Sequence, residues 1–505
     1  MAKPSKKNKT KTSLRFSFDF IKFLVKKEQL IDWGIILILC VAGYILLKMF
    51  YPYPLAVSDS LGYIHAAEQD KFYFYRPFGY SYFLQIIHAI SPDVHAVFIA
   101  QMIVYFLSTS IFAFTVKYFV KPKSKIVWYL MLLTLVLSPM GFRLANSILS
   151  DLLYGGIVYL LLASFLFIIL RKNWFALIVF TLLLFSSLHV RYSSMAFPVV
   201  FAALFFMVKG PVRWVGIACM FFVSALFYNQ VKSFMKETTK FDQFSTGFDG
   251  WQIANNALHV VPYIDLKPED IKDNEVRELH EFVLMHTDSI KKATEDGKKV
   301  TAMFLWDKDL PLKMFLTKKI QETKRPYTNL WIRLGSRTFN DYGWLIVKKY
   351  PFKFMRYYLL LNAKGIVYTT NSGTIKNEEM ISPSKATSWY NIPEDEDTSP
   401  KYPIYGNFLS KTTQILWIIS WGIIVIVAVI SIIQRKKIKF TPDEKKIFWS
   451  IFAFGVVYYG SVIFASPVEF RYWFAVKSVN FACLYILLNK LIEIKISKKS
   501  SVTNG

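Results

Sequence analysis

The chain has 505 residues, of which 54% are hydrophobic and 17% aromatic, and its formal charge is +26. So large an apolar share excludes an ordinary soluble globule of this length. The cations flank apolar runs, which assigns the charge to topology and anionic lipid and excludes nucleic acid as a partner.

Crossing about 30 Å of hydrocarbon takes about 20 helical residues. Apolar runs of that order occur at 32–50, 94–120, 126–140, 151–171, 174–189, 194–209, 214–231, 412–433, 447–465 and 470–490. They predict an all-α polytopic membrane protein of about ten transmembrane helices. The first 27 residues hold nine Lys/Arg and one acid, and no small-residue cleavage site follows the first run. A basic cytoplasmic N-terminus over 1–31 and a retained anchor are therefore expected. With ten spans, Lys121–Lys125, Arg171–Asn173, Lys209–Arg213, Arg435–Lys446 and the late Lys490, Lys495, Lys498 and Lys499 share the side of the basic N-terminus. By the positive-inside rule that side is cytoplasmic. The expectation is a multi-pass protein of a bacterial inner (cytoplasmic) membrane with both termini, including the 491–505 tail, in the cytoplasm.

The opposite face then receives two long segments. The first, 51–93, belongs to an N-terminal transmembrane module over 32–231. The second is a mixed extracytoplasmic domain over 232–411, combining charged helices such as 268–298 with turn-rich stretches such as 391–404. Within it, 344–361 alternates aromatics with cations around a proline, a composition for a helix lying in the membrane interface. The C-terminal transmembrane helices occupy 412–490. The cysteines Cys40, Cys219 and Cys483 lie in apolar runs, and neither a CxxC nor a Cys/His metal spacing occurs.

The stretch after the first span carries the most chemistry. Ser58-Asp59-Ser60-Leu61-Gly62-Tyr63 leads to Ala66-Ala67 and then to Arg76-Pro77-Phe78-Gly79-Tyr80. Asp59 opening a short helix reads either as an N-cap or as a carboxylate that takes a proton from an acceptor at the interface. Ser150-Asp151 opens the fourth span, where capping competes with a functional role. His189-Val190-Arg191-Tyr192 joins the fifth and sixth spans, Phe248-Asp249-Gly250-Trp251 with Asn255-Asn256 opens the large domain, and Glu469-Phe470-Arg471-Tyr472 precedes the last span.

This ordered set resembles the GT-C glycosyltransferases, in the branch of the dolichyl-phosphate-mannose protein mannosyltransferases and aminoarabinose transferases. Phe78 and Ser81 depart from the pattern, standing where prolines are common. The resemblance implies a GT-C-like fold and a polyprenyl-phosphate-linked sugar as donor, with a lipid, glycan or protein as acceptor. It implies Asp59 as general base, Asp151 and Tyr63 positioning the acceptor, and Arg191, Arg471 and Arg76 binding the donor phosphate, with Arg143 a weaker candidate. A metal occurs in this superfamily, but no Asp-x-Asp stands at Asp59 and the seven histidines are scattered. No metal or other cofactor is expected, and His65 and His259 read as structural. The alternatives are a transporter or flippase of a lipid-linked glycan, an O-antigen-polymerase-like enzyme centred on the larger outer segment, and a membrane scaffold without activity.

Overall fold

The computed structural model describes residues 19–503 apart from 57, 73–74, 301–306, 368–380, 382–388, 400 and 402. The expected cytoplasmic tails therefore fall partly outside the described residues, at 1–18 and 504–505, as do those parts of the 51–93 and 232–411 segments.

The chain begins with α1 (Lys27–Phe50), followed by the short helices α2 (Ser58–Glu68) and α3 (Gly79–Ile90). Then come α4 (Val94–Phe119), α5 (Lys125–Val136), α6 (Pro139–Ala145), α7 (Ser150–Arg171) and α8 (Trp174–Val190). A 3₁₀ turn at Tyr192–Ala196 leads into α9 (Phe197–Phe205) and then α10 (Pro211–Thr239). Smaller helices follow: α11 (Phe248–Leu258), α12 (Asn274–Met285), α13 (Thr287–Ala293), α14 (Pro311–Thr323), α15 (Tyr327–Arg333), α16 (Asn340–Lys349), α17 (Pro351–Phe354) and α18 (Leu360–Val367). The last three are α19 (Pro403–Ile433), α20 (Pro442–Ala465) and α21 (Trp473–Thr503). Among the described residues the nearest approach to a sheet is one isolated bridge, Leu55 with Ser147.

Seven of these helices are long and apolar enough to cross a membrane: α1, α4, α5 with α6, α7, α10, the Gln414–Ile433 part of α19, and α20. The chain is an all-α polytopic membrane protein. The runs at 174–189 and 194–209 form the shorter apolar helices Trp174–Val190 and Tyr192–Phe205. The run at 470–490 becomes the longer α21, which mixes Lys477, Asn480, Asn489 and Lys490 with its apolar residues.

Local chemistry sets the ends. Asp93, Ser124, Ser138 and Asn173 cap α4, α5, α6 and α8 through side-chain oxygens on early N–H groups. Thr441 and Glu444 make a reciprocal capping box on α20, with Pro442 at its first position. The expected run 126–140 is broken where Ser138-Pro139 starts a new helix. The single helix expected over 344–361 is likewise broken, at Tyr350-Pro351, because proline donates no hydrogen bond to the preceding turn.

The most enclosed helix is α7, packed by α4, α8 and α21. A Cβ on its Gly155 would lie 2.1 Å from the Phe474 ring, so only glycine lets α21 approach this closely. Outer faces stay greasy: Ile38 and Ile45 on α1, Phe221 and Phe222 on α10, and Ile432 and Ile433 on α19 are exposed, as lipid-facing positions require. Ion pairs tie one end of the bundle, joining Lys117 with Asp32, Arg171 with Asp443, and Lys490 with Glu444. The other end holds α2, α3 and the small helices from α11 onward. There Gly250, Gly335 and Gly343 bring the backbone of α11 against α16 and the π-turn at Leu334–Phe339.

Candidate functional site

The first loop is seated on the start of α7. Leu55 N–H donates to the Asn146 carbonyl at 2.7 Å, and Ile148 N–H returns to the Leu55 carbonyl at 3.0 Å. The Ser60 hydroxyl donates to the Ile148 carbonyl at 2.8 Å, and the Tyr63 hydroxyl pairs with Ser150 Oγ at 3.0 Å. These bonds set Asp59, in the first turn of α2, beside Asp151, in the first turn of α7. Gly79 starts α3 hard against the end of α8, where a Cβ would meet the His189 carbonyl oxygen at 2.5 Å. That contact brings the Arg76–Gly79 turn to Arg191, the residue that ends α8.

Both aspartates turn to arginine. Asp59 Oδ1 accepts from Arg76 Nη2 at 2.8 Å, and its Oδ2 accepts from Arg471 Nη1 at 2.8 Å. Arg76 also donates from Nη1 to the Asp59 carbonyl at 2.8 Å. The residue before α7 is Leu149, with no side-chain cap, and Asp151 Oδ1 accepts from Arg191 instead. Asp151 Oδ2 has no hydrogen bond and lies 3.8 Å from Arg471 Nη1. Arg471 thus joins two pairs into one array: Arg76–Asp59–Arg471–Asp151–Arg191. Aromatic rings flank it, with the Arg76 guanidinium 5.0 Å from the Tyr63 centroid and that of Arg191 5.0 Å from Tyr472.

The array lines a cavity of about 500 Å³, whose walls also include Tyr154, Asp249, Gln252, Tyr458 and Glu469. Its floor is close to dry: the Asp151 side chain is 3% exposed, whereas Asp59 keeps 27%, facing the cavity. Burial by itself would raise the Asp59 carboxyl, but Arg471 and Arg76 outweigh it and hold the group well below the usual carboxylate range. Burial opposes the charge on Arg191 and Arg471, and the neighbouring Asp151, with Asp59 also acting on Arg471, restores it and raises both. Glu469 stands differently. Burial raises its carboxyl above the ordinary value, the attraction of Arg471 only partly offsets this, and among the described residues no hydrogen bond or ion pair holds its side chain.

The loop bearing Glu469 and Arg471 is pinned by two asparagines. Asn362 Nδ2 donates to the carbonyls of Ile463 at 2.7 Å and Ser466 at 2.8 Å, and its Oδ1 accepts from Val468 N–H at 2.8 Å. Asn256 Nδ2 donates to the carbonyls of Phe464 and Ala465 at 3.0 and 3.1 Å. Together they satisfy carbonyls that the end of α20 leaves open.

The structure therefore brings together Asp59, Tyr63, Arg76, Asp151, Arg191 and Arg471. Other candidates lie elsewhere. Arg143 does not line the cavity, and it sits near Tyr51. His65 pairs with Glu68 at 3.5 Å, and His259 is buried with Nδ1 3.2 Å from the Asn255 carbonyl. Tyr154, Gln252, Tyr458 and Glu469 join the cavity without a role legible in the sequence. Glu469 was visible two residues before Arg471, but nothing in one dimension said that its side chain enters the same space. Among the described residues, no group of three or more His, Cys, Asp or Glu side chains is placed to hold a metal ion.

An array of fixed guanidinium groups around carboxylates, at the end of an apolar bundle, suits an anionic ligand that is itself attached to an apolar chain. No family model matches the chain, nor does any curated protein or solved structure.

Proposed function

We propose that the chain is a GT-C-type glycosyltransferase, moving a sugar from a polyprenyl-phosphate donor to an acceptor on the extracytoplasmic side of the membrane. One observation carries the reading: three arginines from separate stretches of chain meet two aspartates in one cavity at the end of the bundle remote from the basic loops. The positive-inside rule puts that end outside the cytoplasm. Activated sugars there arrive on lipids, because nucleotide sugars are generally confined to the cytoplasm. A polyprenyl phosphate would keep its chain in the bilayer and offer its phosphate to Arg76, Arg191 and Arg471.

In the reaction the acceptor oxygen bonds to the anomeric carbon, the bond from that carbon to the phosphate oxygen breaks, and its electron pair leaves with the phosphate. The acceptor's proton passes to a carboxylate of the cavity. Charge grows on the phosphate as the bond stretches, so arginines already fixed by Asp59 and Asp151 stabilise the transition state without reorganising. Against a flippase stands the packing of α7 and its neighbours, where the rings of Phe112, Tyr159, Phe165 and Phe180 are buried.

Asp59→Asn is expected to leave expression and insertion unchanged and to lower transfer by about 10²–10³-fold, because both arginines lose their anchor. The measurement is loss of the glycolipid or glycoprotein product, by mass spectrometry, in cells carrying the variant. Unchanged product would remove the first loop from the reaction.

A further inference from the structure

Four carboxyls line the cavity, and they are not equivalent; Asp249, at its α11 wall, accepts from the Ser245 hydroxyl at 2.6 Å. Asp59 is held by two guanidinium groups, one on each oxygen, and Asp151 is bound by Arg191 with Arg471 close by. A carboxylate so neutralised is a poor proton acceptor, because taking a proton means giving up those charge-assisted bonds. Among the described residues Glu469 has no such partner, and its loop is nonetheless held in place by Asn362 and Asn256. We propose that Glu469 is the catalytic base of the cavity, accepting the acceptor's proton, and that Asp59 is a positioning residue that acts through Arg76 and Arg471.

The inference rests on the glycosyl-transfer reading and reassigns the proton within it. The acceptor hydroxyl loses its proton to the Glu469 carboxylate as its oxygen bonds to the anomeric carbon, and the phosphate departs toward the arginines. Two carboxyls whose surroundings push their acidities apart divide the labour in this way, and a base works best when its affinity for a proton approaches the working pH. The charged groups sharing the cavity with Glu469 are Arg471 on its own segment, Asp59 and Arg76 from the first loop, Asp151 from α7, Arg191 after α8 and Asp249 from α11. Among them Arg471 draws the Glu469 carboxyl down, while burial, Asp151 and Asp59 raise it. The net effect is upward, so the rate should fall in acid at a pH above that of an ordinary glutamate.

The test uses the full chain in lipid nanodiscs, with farnesyl-phosphate-linked mannose and aminoarabinose as donors and a membrane extract as acceptor, reading release of farnesyl phosphate. Glu469→Gln should lower kcat by about 10²–10⁴-fold with little change in donor binding, and should abolish the acid limb of the pH–rate profile. Glu469→Asp should restore part of the rate. Asp59→Asn should weaken donor binding while its residual rate keeps that limb. Infrared titration supplies a second reading that needs no turnover: a protonated-carboxyl band persisting above the usual range should vanish in Glu469→Gln and survive in Asp59→Asn. Wild-type kcat and an intact acid limb in Glu469→Gln, or a band that follows Asp59, would overturn the assignment alone. A wild-type protein that neither binds farnesyl phosphate nor releases it from either donor would overturn the transfer reading, and this assignment with it.

Discussion

At the scale of single residues, the informative groups are those whose surroundings contradict their ordinary chemistry. Asp59 is a carboxylate that two arginines make reluctant to bind a proton, whereas Glu469 is one that burial makes eager. His259 is a third case. Buried against the backbone of α11, its imidazole is pushed down from 6.5 to about 4. The folded chain therefore refuses a proton that the unfolded chain accepts, so stability is full above pH 6.5 and drains as pH falls from there toward 4. That gap is worth about 3 kcal/mol. Thermal melts in detergent from pH 7 to 4 should fall less steeply for His259→Gln than for the wild type. Asp59 adds to acid sensitivity in the same direction but further down: its depressed value means its contribution is present above about pH 3.9 and is lost only as the pH falls toward the folded value.

At the scale of elements, the site depends on how helices end. The end of α20 would leave carbonyls open, and Asn362 and Asn256 close them from α18 and α11. The same contacts hold the Ser466–Tyr472 turn from which Arg471 reaches Asp59. Asn362→Leu keeps the branching of the side chain but strands the Ile463 and Ser466 carbonyls and the buried Val468 N–H, which should cost about 3 kcal/mol. We expect a lower melting temperature and a rise in donor KM as Arg471 drifts; a variant that melts early with normal KM would make this asparagine structural only. The first loop shows the same logic, with Ser60 and Tyr63 bonding to Ile148 and Ser150 so that α2 and α7 begin side by side. Serine and aspartate at a helix start read in sequence as caps. In the fold, α7 starts without a side-chain cap, and both aspartates turn to arginine.

At the scale of the whole molecule, the two ends of the bundle are chemically distinct. One is laced by the pairs Lys117–Asp32, Arg171–Asp443 and Lys490–Glu444, and the other carries the arginine array and the small helices. If the basic end is cytoplasmic, a variant lacking Cys40, Cys219 and Cys483 and carrying Gln69→Cys should react with an impermeant maleimide in intact cells. Lys437→Cys should react only after permeabilisation. The reverse pattern would place the cavity in the cytoplasm and end the lipid-donor reading.

What the chain's order of residues determined alone is its class, because the bilayer tests each apolar run separately. The identities of Asp59, Asp151, Arg191 and Arg471 were also legible, each beside a helix end in an aromatic setting. Their pairing was not. Asp59 and Arg471 are 412 positions apart, and only the packing of α2, α7, α8 and the turn before α21 puts them 2.8 Å apart. The division of labour between Asp59 and Glu469 belongs to that packing too, because a carboxyl's affinity for a proton is set by burial and by neighbouring charge, and both exist only once the helices have come together.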